Sequence, residues 1–494
     1  MSSDIGLYGL AVMGQNWALN VAEHGFKISV CNRSAYRVDE CVTRAEAELG
    51  DKKENLVGFK DPAEFVASLA KPRKLMFLVK AGDPVDKCIE LFSGLLEEGD
   101  VLIDGGNEWF ENSIRRAKVV EPKGIMYMAV GVSGGEEGAR NGPSLMPGGP
   151  REGYDLLEKI LTTCAAQTDS GPCTTYIGGP GSGNYVKMVH NGIEYGDMQL
   201  IAEAYTILKV VGGLTNQELS ETFAEWNNAE LDSFLIEITS IILAKKDVDV
   251  YDVNVNPPVP IEGNEDVHVV EKVLDRTGNK GTGKMTIKEG ATRGVAVGTM
   301  AAALDARFIS FDKDAREEME KLITGPSMMP SLDKAQLIED VRNALYCSKI
   351  CSYAQGLNLI RSASNEQEWG VDLGECARIW KGGCIIRAKF LDRIKQAYER
   401  NPKLVNLIVD PEFLEEITSK QNSWRRVVSM CAAAGLPTPS FYSSLAYFDQ
   451  YRRGTLIGAS LVQAQRDFFG SHTFERTDRE RNQWYHCKWT DKHA

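Results

Sequence analysis

Short apolar runs alternate with amphipathic stretches through the first 180 residues. Residues 5–10, 27–31, 74–79, 101–104 and 125–132 read as strands, and residues 15–24 and 86–96 between them read as helices. Strands separated by helical periods need crossover connections, so they form βαβ units and a parallel sheet. Nothing else in the chain limits its fold as much. The pattern ends near Gly178, and from Gly181 the helical period takes over. Residues 185–211 carry apolar side chains at helical spacing without a proline, and Thr215-Asn216-Gln217-Glu218 is a capping box ahead of Leu219. Residues 245–266, acidic and interrupted by Pro257-Pro258, read as a long surface excursion. From Gly454 the chain is polar, rich in Arg, Gln and Trp, and too thin for a domain of its own; a tail of this kind packs on another subunit.

Composition removes several classes of function. With 494 residues, 43% hydrophobic and 25% charged, the chain is globular rather than disordered. A net charge of −13 argues against nucleic acid as a partner. No apolar run approaches the roughly 18 residues that span a bilayer, and no basic stretch followed by an apolar one opens the chain. The final TDKHA is not a peroxisomal address of the SKL type. The 11 cysteines are scattered without a CxxC pair, which predicts free thiols in a reducing cytosol rather than disulfides or a zinc site.

Gly9-Leu10-Ala11-Val12-Met13-Gly14 follows a predicted strand and precedes a predicted helix. That is the setting of a dinucleotide fingerprint, in which glycine permits the turn and the helix N-terminus receives a pyrophosphate. The middle glycine is replaced by Ala11, so the turn alone supports a cofactor site no better than an ordinary strand-to-helix turn. The end of the second strand tips the balance. It reads Cys31-Asn32-Arg33-Ser34, with Arg37 soon after. An NAD site carries an acid there to hold the ribose hydroxyls. Arginine and a hydroxyl suit a 2′-phosphate instead, so the expected cofactor is NADP.

Two glycine-rich clusters end successive strands: Asp104-Gly105-Gly106-Asn107, and Ser133-Gly134-Gly135-Glu136-Glu137-Gly138. Each alone is a plain turn; at neighbouring strand ends, where ligands sit in such sheets, the pair is better explained as a site. The next segment, residues 178–195, is a Gly-rich lead into a helix. At about 100° per residue, Lys187, Asn191 and Glu194 share one face, with His190 and Tyr195 beside it and Val186, Val189 and Ile193 elsewhere. Lys187 and Glu194 stand roughly 10 Å apart along the axis, enough to bracket a small substrate. A solvated Lys–Glu face is the plainer reading; the Asn, His and Tyr on the same side favour a site.

Residues 178–191 fit the pattern G-x-x-G-x-G-x-x-x-K-x-x-x-N of the 3-hydroxyacid dehydrogenase superfamily. Residues 275–284, 133–140 and 465–472 resemble narrower signatures, and together they make the chain similar to the 6-phosphogluconate dehydrogenases (decarboxylating) along nearly its whole length. The resemblance implies an α/β Rossmann-type NADP-binding domain (1–180), a large all-α substrate and dimerisation domain (181–453) and a C-terminal tail (454–494) entering a partner subunit of a homodimer. It implies oxidation and decarboxylation of 6-phosphogluconate to ribulose 5-phosphate in the cytosol. By position, Lys187 would be the general base and Glu194 the general acid. Asn107, Ser133, Gly134, Gly135, His190 and Asn191 would hold the carboxylate and hydroxyl end. Tyr195, Lys280, Thr282 and Arg307 would bind the phosphate, joined by Arg466 of the partner subunit, while His472 of the partner subunit would reach a substrate hydroxyl. NADP would lie against Gly9, Leu10, Ala11, Val12, Met13 and Gly14, against Asn32, Arg33, Ser34 and Arg37, and against Val79, Lys80, Ala81 and Asn107.

Two departures from the family pattern stand out. Met285 replaces a tryptophan, which bears on local packing more than on chemistry, and the 245–266 segment is longer by a dozen or more residues. The chemistry itself is economical. Oxidising the C3 hydroxyl of a 3-hydroxy acid creates the carbonyl that draws off the C1 carboxylate, so one base and one acid suffice and no metal is needed. Two rival readings remain: a dehydrogenase of unphosphorylated hydroxyisobutyrate-type acids, which the cluster Lys280, Thr282, Arg307 and Arg466 argues against, and a non-enzymatic NADP-binding scaffold, which the full set of matching catalytic residues argues against.

Overall fold

The structure is a computed structural model describing residues 2–278, 281–326 and 333–490. The chain forms two compact units, residues 1–444 and 445–494.

The first unit opens with a seven-stranded sheet. Its strands are β1 (Ile5–Tyr8), β2 (Ile28–Cys31), β3 (Leu56–Phe59), β4 (Lys74–Phe77), β5 (Val101–Asp104), β6 (Met126–Ser133) and β7 (Ser144–Gly148), in the order β3-β2-β1-β4-β5-β6-β7. All neighbours are parallel except β6 and β7. The order reverses between β1 and β4, and a ligand crevice opens outside the strand ends at such a reversal. The five expected strands are present. The two unexpected ones are both at sheet edges. β7 contains Pro147 and ends in Gly148, which marks a turn in the sequence; at an antiparallel edge, opposite Val130, a proline is tolerated. β3 is four residues long, and its Gly58 lies flat against the helix Ala35–Glu48, where a Cβ would come within 2.6 Å of Val38.

Helices dominate from Gly181 onward. The helix Ser182–Val210 packs on β6 and β7 and against Lys334–Glu366. Two glycines permit the first contact: a Cβ on Gly183 would lie 2.1 Å from the Met146 carbonyl oxygen, and one on Gly131 2.5 Å from Lys187 Cβ. Against Lys334–Glu366 the helix buries Val189 and Ile193 over Gly356. A buried ion pair, Lys349 Nζ to Asp197 Oδ2 at 2.6 Å, ties the same two helices three residues beyond Glu194. The expected capping box is present: Thr215 Oγ1 accepts from Glu218 N, and the Glu218 carboxylate accepts from Thr215 N. The 245–266 segment is a surface excursion, as expected, but an ordered one. Lys246–Asp247 pairs with Asn264–His268, and Tyr251–Asp252 with Val259–Pro260. Among the described residues, no helix is long and apolar enough to cross a membrane, and all eleven cysteines are free.

The second unit is built on the helix Ile457–Gly470. Within this helix only Asp467 is buried, while Ile457 (83%) and Phe469 (72%) are largely exposed. The chain after it doubles back through an antiparallel bridge between Phe474 and Tyr485. Asp467 then fastens the returning strand: its carboxylate meets His486 Nδ1 at 2.7 Å and accepts from Cys487 N at 3.0 Å and Trp489 Nε1 at 2.8 Å.

Candidate active site

The end of β6 and two helices meet at the Lys187 cluster. β6 ends at Ser133, and the turn after it needs glycine: Gly134 has φ +131°, and a Cβ there would sit 2.4 Å from the Gly383 carbonyl oxygen. Lys187, 7% exposed, reaches this turn from Ser182–Val210, donating to Ser133 Oγ at 3.1 Å and to Asn191 Oδ1 at 2.6 Å. A hydrogen-bonded chain runs on from there. Ser133 Oγ lies 3.4 Å from His190 Nε2, His190 Nδ1 lies 3.0 Å from Asn191 Oδ1, and Asn191 Nδ2 donates to Thr282 Oγ1 at 3.0 Å. The predicted face is therefore real: Lys187 and Asn191 bond directly, and Glu194 lies half-buried on the same helix, close enough for its charge to act on the lysine.

Burial sets the protonation of this cluster. It pulls the Lys187 ammonium below its ordinary pKa, against the opposing pull of Glu194. It also drives His190 well below its ordinary value, with the charge of Lys187 adding to the effect. His190 is thus a neutral ring. With the proton on Nδ1 it donates to Asn191 and accepts from Ser133, which leaves the serine lone pairs for Lys187.

Of the residues expected to bind phosphate, Tyr195, Thr282 and Arg307 lie near one another. Gly283 presses on one part of the Tyr195 ring, where a Cβ would come within 2.5 Å, and the Arg307 guanidinium lies 3.6 Å from the ring centroid. Thr282 begins the helix Thr282–Arg293 directly before Gly283, after Gly281 at φ +90° and with no side chain capping the helix. Thr286 locks this helix to the central one by donating to the Met188 carbonyl at 2.8 Å, with its methyl group seated over Gly192. Lys280 lies outside the described residues. Arg466 and His472 belong to the second unit and are exposed; Arg466 donates to Gln463 Oε1 at 2.8 Å.

At the sheet reversal, Gly9 leaves β1 with φ +109°, and a Cβ there would meet the Leu78 carbonyl oxygen at 2.5 Å. The backbones of the first turn and of the Val79–Ala81 loop thus run side by side. A Cβ on Gly14 would sit 1.9 Å from the Gly9 oxygen, so this position too demands glycine. Ala11 precedes the helix Val12–Glu23 without a side-chain cap, and Asn32 Oδ1 accepts from Leu10 N at 3.0 Å to hold the turn. Arg33 is exposed, and Ser34 opens the next helix without capping it. Arg37 is engaged with Glu40 at 2.9 Å and lies over the Tyr36 ring. A cavity of about 590 Å³ beside these residues is lined by Val12, Gln15, Tyr36, Arg37 and Glu136 among others. Asn107 is exposed beyond β5.

Sequence reasoning misses the wall of the site formed by residues 380–384. The Trp380 ring meets His190 edge-on at 5.6 Å, and Cys384, its thiol pushed up to about 12 by burial, lies within electrostatic reach of Lys187. The Gly382-Gly383 pair is a legible signal for it, of the same kind as the glycine clusters after β5 and β6.

Comparison with known proteins agrees with this geometry. Residues 4–178 match the NAD binding domain of 6-phosphogluconate dehydrogenase, and residues 183–489 match the 6-phosphogluconate dehydrogenase C-terminal domain. The chain is 59% identical to 6-phosphogluconate dehydrogenase, decarboxylating 1, of Spinacia oleracea, over 96% of this chain and 95% of that one. It is 58% identical to the protein of the same name from Oryza sativa subsp. japonica, over 98% and 97%. Among solved structures, Plasmodium falciparum 6-phosphogluconate dehydrogenase superposes with a TM-score of 0.90 at 49% identity, covering 98% of this chain and all of that one; it was solved in its apo form, with its cofactor NADP+ and with its substrate 6-phosphogluconate. The chain belongs to the 6-phosphogluconate dehydrogenase family.

Proposed function

We propose that this protein oxidises and decarboxylates 6-phosphogluconate with NADP, yielding ribulose 5-phosphate, carbon dioxide and NADPH. The observation that carries the reading is a buried lysine of lowered pKa, hydrogen-bonded to a strand-end serine, with a carboxylate on the same helix face.

The residues at the sheet reversal fit NADP. Gly9 and Gly14 leave room that any side chain would fill, the uncapped helix N-terminus suits a pyrophosphate, and Arg33 with Ser34 suits a 2′-phosphate. Bound there, NADP supplies the acceptor for a hydride. On the substrate, Lys187 Nζ, whose pKa burial lowers, acts in its neutral form and takes the C3 hydroxyl proton as the C3–H bond breaks. Ser133, the Gly134 and Gly135 amides, His190 and Asn191 orient the hydroxyl and the carboxylate, with Asn107 closing the cofactor side. The C3 carbonyl then accepts the electron pair of the C1–C2 bond as C1 leaves as carbon dioxide, and Lys187 returns its proton to the C3 oxygen to give the enediol. Glu194 protonates substrate C2, which becomes C1 of ribulose 5-phosphate, as the enediol hydroxyl gives its proton back to Lys187. At the far end, Tyr195, Thr282 and Arg307, with Lys280, hold the phosphate at the start of the helix Thr282–Arg293.

We further assign the functional division 1–180, 181–453 and 454–494, a homodimer, and a tail that brings Arg466 and His472 of the partner subunit to the site. The exposed apolar side chains of Ile457–Gly470 support a covered position for this helix. Eleven free thiols fit a reducing compartment, and we place the protein in the cytosol; imaging of a fluorescent fusion separates this from a plastid, the location in the name of a chloroplastic Arabidopsis thaliana relative.

The test is to mix the purified protein with NADP+ and 6-phosphogluconate without added metal, follow NADPH by absorbance and trap carbon dioxide. Equal amounts of both are expected. NADPH without carbon dioxide would remove the decarboxylation, and no NADPH from a folded protein that binds NADP would remove the enzyme.

A further inference from the structure

Beneath the cofactor crevice lies a charged cluster that the reaction as proposed does not use. Arg116, 1% exposed, stands on the helix Phe110–Val120 and faces three carboxylates. Its guanidinium donates to Glu108 Oε2 at 2.6 Å, to Asp86 at 2.8 and 3.1 Å and to the Gly82 carbonyl at 2.9 Å, and lies 3.7 Å from Asp104. Glu108, 4% exposed, is the centre of the tie. One oxygen accepts from Gly82 N at 2.7 Å as well as from Arg116; the other accepts from Trp109 N at 2.8 Å and Asn112 Nδ2 at 2.9 Å. Asp104 in turn holds Gly106 N at 2.9 Å.

These bonds join two loops that share no strand hydrogen bonds at this point: the one after β4, ending in Gly82, and the one after β5, running through Gly106 to Trp109. The first carries Val79, Lys80 and Ala81, and the second carries Asn107, immediately before Glu108. In the proposed function both groups face the cofactor, and Asn107 also faces the substrate. A planar guanidinium with its forked donors is suited to hold two backbones at a fixed separation, and a buried charge pair resists stretching because either partner left alone would be an uncompensated buried charge.

We propose that Glu108, braced by Arg116, is a positioning residue that sets the distance between the nicotinamide-side loop 79–82 and Asn107, and through it the approach of C3 to the hydride acceptor. The inference rests on the proposed function. Glu108 is buried and both its oxygens are taken up by protein donors, so it acts on geometry alone. Displacing reacting atoms by about 1 Å costs on the order of 10²-fold in rate.

The experiment is steady-state kinetics of Glu108→Ala and Glu108→Gln with ordinary and C3-deuterated 6-phosphogluconate, alongside NADP binding by fluorescence quenching. The expected result is a kcat reduced roughly 10–100-fold in the alanine variant and less in the glutamine variant, with an increased primary deuterium isotope effect and an NADP Kd within about twofold of wild type, because the phosphate grips lie elsewhere. If kcat and the isotope effect stay at wild-type values while only Tm falls, Glu108 is structural and the proposal is overturned. Should the alanine variant not fold, the same two outcomes are read from Glu108→Gln. Asn107→Ala separates the two levels of inference: if it leaves kcat/KM unchanged, the role given to Asn107 has failed, whatever Glu108 does.

Discussion

The core of the first unit and the tail hold their candidate site residues in opposite ways. Around Lys187 the polar groups are buried or half-buried and already hydrogen-bonded to one another, from Ser133 through His190 and Asn191 to Thr282. In the tail, Arg466 stands exposed on a helix whose apolar side chains are exposed too, His472 is exposed just beyond it, and a single buried carboxylate, Asp467, keeps the returning strand in place. The difference follows from what each must do. An acid–base pair needs its protonation set by desolvation, which requires a wall of protein around it. In the proposed function Arg466 and His472 serve the partner subunit, which requires them to be presented outward, with their precision coming from local bonds within the tail.

The contrast is most exposed to failure at Lys187, where the effect is largest. Lys187→Ala should lower kcat roughly 10²–10⁴-fold with the fold retained, measured by NADPH formation and circular dichroism; near-normal turnover would remove the lysine from the chemistry. Arg466→Ala should raise KM for 6-phosphogluconate about 10–100-fold, equivalent to a charge-assisted hydrogen bond of about 1.5–3 kcal/mol. Mixing the two variants after reversible dissociation divides core from tail directly. If the tail serves the neighbouring site, a mixed dimer has one intact site, and random pairing restores roughly a quarter of wild-type activity. If the tail serves its own chain, the mixture gains nothing.

The pH profile probes the buried side alone. Lys187 must be neutral to act, so kcat/KM should rise as pH increases through its pKa. Because burial lowers that pKa, the rise should be centred below about 10.5, the ordinary lysine value. Linkage has the same sign: with the folded pKa below the unfolded one, the contribution of this group to stability is present above the unfolded value and lost as pH falls through the folded one. A limb centred at the ordinary lysine value would contradict a desolvated base.

The smallest effect is expected at the clasp. Asp467→Ala leaves His486, Cys487 N and Trp489 Nε1 without their acceptor, a loss of about 1–3 kcal/mol confined to the tail. Amide hydrogen exchange should quicken across residues 471–490 and not around Lys187. Equal acceleration in both regions would mean that the tail's order does not depend on this carboxylate.

Periodicity and charge decide how much of this architecture is legible in the chain. The five central strands are plain because strands buried on both faces must be apolar throughout. The two edge strands are not: β3 is short and interrupted by Gly58, and β7 carries Pro147, features that an edge tolerates and that resemble turns. The Lys187–Asn191–Glu194 face is legible because a helix places such spacings together without help from the rest of the fold. The 380–384 wall and the Glu108–Arg116 tie are not, because their partners lie far away in sequence or look like ordinary surface charges.

Local sequence is enough to specify the layered α/β-then-α architecture, the tight glycine turn at Gly9, the lack of an acid after β2 and the helix face that carries the candidate chemistry, because each depends on residues within a few turns of one another. It took the folded chain to establish which of those groups are desolvated, that His190 is a neutral link between Ser133 and Asn191, that the Gly383 carbonyl requires a glycine at 134, and that Arg116 binds two loops into one frame. Burial and long-range contact are properties of the packed chain, and they set the pKa values and separations on which the proposed chemistry depends.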